Sequence, residues 1–196
     1  MAHENTALLI IDFMNPLDFE GGAELAPAAV HAARHTALLR RRLDLHGVPA
    51  IYANDNFGHW DSDFAAVVRT CRERGGAAAE MALLLEPRRC DRSVLKPRHS
   101  AFFGTPLEFL LDEMRIANLV LVGISADSCV MFTAHDAYLR KYRMWVPRDC
   151  VAAMRPEYTQ ASLAHMARVL RADTRPADAP MLPWLGSSSD QEQAAR

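Results

Sequence analysis

Apolar residues fall in bursts along the chain, separated by amphipathic stretches, an alternation that signals parallel βαβ units. Residues 6–12 (TALLIID) are almost continuously apolar, as a strand covered on both faces must be. A polar loop runs through Gly21-Gly22. From Pro27 to His46 the pattern predicts a helix, with Leu39, Leu43 and His46 on one stripe and Gly47 as the C-terminal cap. Residues 49–54 (PAIYAN) predict a second strand. Phe64, Val67, Val68 and Cys71 recur at helical spacing, so a helix is expected over residues 63–74, stopping at Gly75-Gly76.

Residues 91–96 (DRSVLK) predict a short third strand. Thr105-Pro106-Leu107-Glu108 reads as a capping box with proline at the first helical position, opening a helix whose Leu107, Leu110, Leu111 and Met114 face inward. Residues 118–124 (NLVLVGI) form a fourth strand as buried in character as the first, and residues 128–141 are helical by Val130, Ala134, Ala137 and Tyr138. A fifth strand over residues 144–150 is interrupted by Pro147, which points to an edge or a bulge. A last helix covers residues 156–172. We expect one domain over residues 1–175 and a polar tail over 176–196, with the last eleven residues disordered. No internal repeat is visible.

Composition narrows the class. The chain has 196 residues, half of them apolar and 23% charged, with a net charge of −2. That length suits a single domain with a substantial core. A near-neutral balance without clustered Lys and Arg excludes a nucleic-acid or anionic membrane partner on electrostatic grounds. No apolar run reaches the ~18–20 residues of a membrane span. Residues 1–5 (MAHEN) lack the basic and apolar regions of a signal peptide, so a cytoplasmic location is expected. The four cysteines, Cys71, Cys90, Cys129 and Cys150, lie far apart with no C-x-x-C spacing, and we read them as reduced thiols.

In open α/β sheets ligands bind beyond the carboxyl ends of the strands. Strand one ends in Asp12, strand three in Lys96, and strand four runs through Gly123-Ile124-Ser125-Ala126-Asp127-Ser128 to Cys129. An acid, an amine and a thiol therefore share one edge of the sheet. Cys129 falls in the first turn of a helix, where unpaired N–H groups and the helix dipole favour a thiolate and offer an anion pocket. Each residue also has an ordinary reading: a buried helix-start cysteine, a loop-capping aspartate, a solvated lysine. Their conjunction is what points to chemistry.

The residues that carry this conjunction also carry a resemblance. ALLIIDFMN around Asp12, LKPRHSAFFGTPL after Lys96 and VLVGISADSCVMFTAHDAYLRKY around Cys129 resemble the isochorismatase-like cysteine hydrolases, a superfamily that includes nicotinamidases and N-carbamoylsarcosine amidase. The likeness covers residues 6–172, and Asp149-Cys150 stands where that family usually has Asp-Ala. It implies an α/β fold with three Rossmann-like α/β/α layers around a parallel sheet of five or six strands, in the order 3-2-1-4-5. It also implies a catalytic triad of Asp12, Lys96 and Cys129, a cis peptide joining Ile124 to Ser125, and an oxyanion hole formed by the N–H groups of Ser125 and Cys129. Asp12 would take the thiol proton and pass it to the leaving amine. It would then serve again as base for hydrolysis of the thioester, with Lys96 as electrostatic support.

The chain departs from its relatives in two loops. Nicotinamidases carry a metal-binding Asp-x-His and a further His after strand two; here the segment reads Asp55-Asn56-Phe57-Gly58-His59-Trp60, with Phe57 in the place of the first His. We therefore expect no metal and no other cofactor. The loop after Asp12 reads Met14-Asn15-Pro16-Leu17-Asp18-Phe19, where relatives often have Q-N-D-F. Phe19, Phe57 and Trp60 are candidates for the wall of a substrate pocket. Arg98 and His99 either recognise a substrate carboxylate or are simply solvated. The expected function is hydrolysis of a C–N bond in a small amide, carbamoyl or ureido compound by a homo-oligomer, dimer or tetramer. The alternatives are a vinyl-ether hydrolase without thiol chemistry, as in isochorismatases, and a non-catalytic binding or receiver-like module.

Overall fold

A computed structural model describes residues 5–179. The chain builds β1 (Thr6–Ile11), α1 (Gly22–Asp44), β2 (Ala50–Asp55), α2 (Phe64–Arg74), α3 (Gly76–Leu84) and β3 (Arg92–Lys96). It continues with α4 (Leu107–Glu113), β4 (Asn118–Ile124), α5 (Cys129–Leu139), β5 (Arg143–Trp145), β6 (Val151–Ala152) and α6 (Pro156–Val169). All strand pairs are parallel, in the order β3-β2-β1-β4-β5, with β6 also on β4. This is the expected α/β sheet, and it has six strands.

The unbroken apolar runs of β1 and β4 are explained by the two layers that cover them. Alternate residues of a strand face opposite sides. Leu8 and Ile10 of β1, with Val120, Val122 and Ile124 of β4, pack on one side against Leu25, Ala29 and Leu39 of α1 and Met81 of α3. Ala7, Leu9 and Ile11, with Leu119 and Leu121, pack on the other against Leu111 of α4, Val130 and Ala134 of α5 and Met166 of α6.

Five expectations change. Helix α1 starts at Gly22, so Pro27 lies inside it. Gly21, at φ 85°, turns the chain into the helix, and its carbonyl accepts the first bonds, from Glu24 and Leu25. Proline's fixed φ suits a helix, and inside it the ring forfeits one donor and crowds the preceding turn. His46 lies past the end of α1 and is exposed, off the apolar stripe. Beyond Gly75, at φ 76°, the chain re-enters a helix, α3, which the double glycine had suggested was a stop. The expected fifth strand is two pieces. β5 pairs with the start of β4, and β6 pairs with its end at Gly123 and Ile124. Between them Pro147 sits in a turn closed by Cys150 N–H donating to its carbonyl at 2.9 Å. The capping box is half formed. Thr105 Oγ1 accepts from Leu107 N–H at 3.2 Å, but the Glu108 carboxylate pairs outward with Arg140.

Of the residues read as a tail, the first are packed: Ala177 N–H donates to Asp149 Oδ1 at 2.8 Å, and the Arg42 guanidinium donates to the carbonyls of Ala177 and Ala179. The disorder expected for the last eleven residues lies outside the described residues. Among the described residues, no helix is long and apolar enough to cross a membrane.

Candidate active site

Asp12 follows β1 directly, in a left-handed conformation at φ 52° that turns its side chain off the strand. It is 3% exposed. Asp55, the last residue of β2, donates its backbone N–H to Asp12 Oδ1 at 2.6 Å. Lys96, the last residue of β3, has no exposed side-chain surface and places Nζ 2.7 Å from Asp12 Oδ2. The parallel register sets Asp55 beside Lys96, and Asp55 Oδ2 lies 3.7 Å from the same ammonium. Lys96 also donates to the Arg98 carbonyl at 3.3 Å. Three adjacent strands thus end in two carboxylates gathered around one cation.

Cys129 opens α5, as the pattern predicts. Its Sγ lies 3.5 Å from Lys96 Nζ and 3.8 Å from His99 Nδ1, within the electrostatic influence of the Asp12 carboxyl. Thr133, one turn along α5, donates to the Cys129 carbonyl at 2.7 Å and accepts from Ala101 N–H at 3.0 Å, which binds the segment after β3 to the helix. The peptide joining Ile124 to Ser125 is cis. Ser128 and Val130 N–H groups close the following turn on the Ser125 carbonyl, and neither the Ser125 nor the Cys129 N–H is a donor in those bonds.

Burial raises the Asp12 carboxyl above the usual range, opposed by Lys96. Burial disfavours the Lys96 charge, but Asp12, Cys129 and Asp55 outweigh it and the ammonium titrates higher than usual. The Cys129 thiol is pushed up to about 12 by burial and by Asp12, against the pull of Lys96. Sequence position favoured a thiolate here, but desolvation and the neighbouring carboxylate prevail. The same enclosure thus pushes both the thiol and the carboxyl toward their protonated forms.

Next to these groups lies a cavity of about 500 Å³ lined by Asp55, Trp60, Pro97, Arg98, His99 and Phe103 among others. Of the three aromatic residues proposed as a pocket wall, Trp60 lines this cavity. Phe57 lines a neighbouring one of about 410 Å³ with Pro16, Asp18 and His59. Phe19 is not among the residues lining either, and it is half exposed on the approach to α1. A larger cavity, about 610 Å³ and lined by Tyr142, Arg143 and Leu170, opens at the amino end of β5, away from the acid and the thiol.

Sequence reasoning did not find the role of Asp55, which holds one oxygen of Asp12 and faces Lys96. It also missed Asn54, which clasps Met14 through both its amide atoms and so pins the loop after Asp12. The available signal was strand register: whichever residue ends β2 must neighbour the end of β3. A metal of the nicotinamidase kind does not fit. Phe57 offers no ligand atom, Asp55 Oδ1 accepts from Phe57 N–H at 2.6 Å, and Asp55 Oδ2 faces Lys96. Among the described residues, no three His, Cys, Asp or Glu side chains are grouped to hold a metal ion.

A parallel sheet flanked by helices, with an acid, an amine and a thiol at its carboxyl edge, defines an α/β scaffold with a polar site at the strand ends. Residues 6–174 match the isochorismatase domain, and the chain belongs to the isochorismatase family of hydrolases. It is 33% identical over 173 residues to the isochorismatase family protein YaaI of Bacillus subtilis, covering 88% of this chain and 94% of that one. It is 27% identical over 188 residues to the ureidoacrylate amidohydrolase RutB of Agrobacterium fabrum, covering 82% and 81%. Among solved structures it resembles N-carbamoylsarcosine amidase from Thermoplasma acidophilum, with a TM-score of 0.67, 27% identity, and coverage of 89% of this chain and 97% of that one.

Proposed function

We propose that the protein hydrolyses a C–N bond of a small amide, carbamoyl or ureido compound through a thioester on Cys129. The observation that carries this reading is that Lys96 Nζ stands 3.5 Å from the Cys129 sulfur at the start of α5 and 2.7 Å from the Asp12 carboxylate, so one ammonium joins the thiol and the acid. Named amidohydrolases among the relatives support the same class of bond.

Because the thiol and the carboxyl are both raised, proton transfer and attack are coupled. As Sγ bonds to the substrate carbonyl carbon, its proton passes to Asp12. The N–H groups of Ser125 and Cys129 receive the developing oxyanion. Asp12 then returns the proton to the departing nitrogen, the C–N bond breaks, and the amine leaves. Lys96 keeps its charge throughout and offsets the alternating charge on oxygen and sulfur. Water entering through the cavity hydrolyses the thioester. No step requires a metal.

The test is an ammonia-release screen over amides, carbamoyl compounds and ureides. On the best substrate, Cys129→Ala and Asp12→Asn should each lower kcat/KM by at least about 10³-fold, the scale seen when one member of a nucleophile–base unit is removed. Turnover should survive a chelator. Equal activity in wild type and Cys129→Ala would refute the thioester, and chelator loss restored by zinc would refute the metal-free route.

A further inference from the structure

Two proton acceptors of different setting stand near the Cys129 sulfur. Asp12 is enclosed, holds both oxygens at 2.6 and 2.7 Å from donors, and is not among the residues lining the adjacent cavity. His99 is exposed, lines that cavity, and brings Nδ1 to 3.8 Å from Sγ. Its ring lies against Phe132 of α5, with centroids 5.4 Å apart and planes inclined by 27°. The next two residues tie the segment to the same helix: Ser100 Oγ donates to Asp136, and Ala101 N–H donates to Thr133 Oγ1. The imidazole is therefore held over the thiol from the solvent side, with Lys96, Arg98 and Asp55 as the charged groups around it.

Resting on the thioester reading above, we propose that His99 is the general base of the second half-reaction, in place of Asp12. A base acts within hydrogen-bond reach of the proton it removes, directly or through one water. A water between Nδ1 and a thioester on Sγ meets that condition and stands in the cavity from which water arrives. This role uses the tautomer protonated on Nε2. The water oxygen bonds to the thioester carbonyl carbon while one of its protons passes to Nδ1. The tetrahedral adduct collapses with cleavage of the C–S bond. The sulfur leaves as thiolate and recovers the proton from the imidazolium, and the carboxylic acid product departs. Asp12 serves acylation and His99 serves deacylation, the first enclosed and the second facing the cavity.

The experiment uses the best substrate of the screen with His99→Ala and His99→Phe. Both should keep the folded near-ultraviolet spectrum, since the side chain is exposed. His99→Ala should acylate within about 3-fold of the wild-type rate in a rapid-mix burst. Its kcat should fall by about 10²-fold or more, within the usual range for a general base. Intact-protein mass spectrometry should then find the acyl group on most of the chain at steady state. Added imidazole should restore turnover to His99→Ala, where a space is opened, and not to His99→Phe. Wild-type kcat in His99→Ala, a loss without accumulated acyl-enzyme, or a change confined to KM would each overturn the proposal while leaving the thioester reading intact. Full activity in Cys129→Ala would overturn both.

Discussion

Lys96 reaches the site with no exposed side-chain surface, an expensive place for a charge unless its partners are close. Asp12 at 2.7 Å and Asp55 at 3.7 Å are those partners. Removing one side of a buried pair leaves the other uncompensated, at a cost of about 3–5 kcal/mol, whereas replacing both with matched neutral groups is often near neutral. Lys96→Met should therefore lower stability by about that amount in urea denaturation, and Asp12→Asn added to it should recover most of the loss. A double variant as unstable as the sum of the singles would show that the two charges are not coupled. At this scale the sequence was legible where position alone decides. Asp12, Lys96 and Cys129 end or begin elements, so reading the elements located them. Asp55 also ends a strand, but its importance comes from its backbone N–H and its register beside Lys96, which hydropathy does not encode. His99 was legible only as a candidate carboxylate contact or a solvated residue after Lys96; its approach to the thiol depends on contacts of its segment with Phe132 and Thr133 of α5.

Among elements, β4 does the most to shape the site, because its last residues turn the chain from sheet to helix. Gly123, opposite Ile11 in the register, has φ 141°, and a Cβ there would lie 2.0 Å from the Ile11 carbonyl oxygen. Neither backbone can yield without moving Asp12 on one side or the Ser125–Cys129 turn on the other. Gly123→Ala should cost more than about 3 kcal/mol, combining a disallowed conformation with a clash in the core. It should also lower activity beyond its effect on stability when both are measured below the melting range. A loss under 1 kcal/mol would show that the strands part easily. Helix α3 shows why some elements escaped notice. GAAAEMALL has apolar residues all round, so it lacks the stripe by which α2 was found, and the preceding glycines read as an ending. Pro27 misplaced the start of α1 for the opposite reason: a strong local signal was overridden by the turn at Gly21.

The whole molecule carries a pH signature set by its enclosed thiols. Burial raises Cys71 to about 11 and Cys129 to about 12, and it raises Cys150 and Tyr52 as well. Lys96 is also raised, by its carboxylate neighbours against its own desolvation. Above pH 9 the unfolded chain releases thiol protons that the folded chain retains. The unfolded state then binds fewer protons, so stability falls as pH rises. Melting temperature should decline steadily from pH 8.5 to pH 11, and a flat profile would contradict these shifts. The fold class was legible at this scale, because continuous apolar strands alternating with helices admit few arrangements, and the strand order came with the family resemblance. The cavities were not, because their walls come from loops whose paths no periodicity describes.

Asp12, Asp55 and Lys96 stand on three neighbouring strands, and their separations follow from an interstrand spacing of about 4.8 Å that every parallel sheet shares. Residues 14–21 and 56–62, which border the adjoining cavities, hang from those strands without setting those separations. Recognition can thus be rewritten by exchanging loops while the reactive geometry is inherited unchanged. Grafting the corresponding loops of a relative with a known substrate onto this sheet offers a direct route to new specificity.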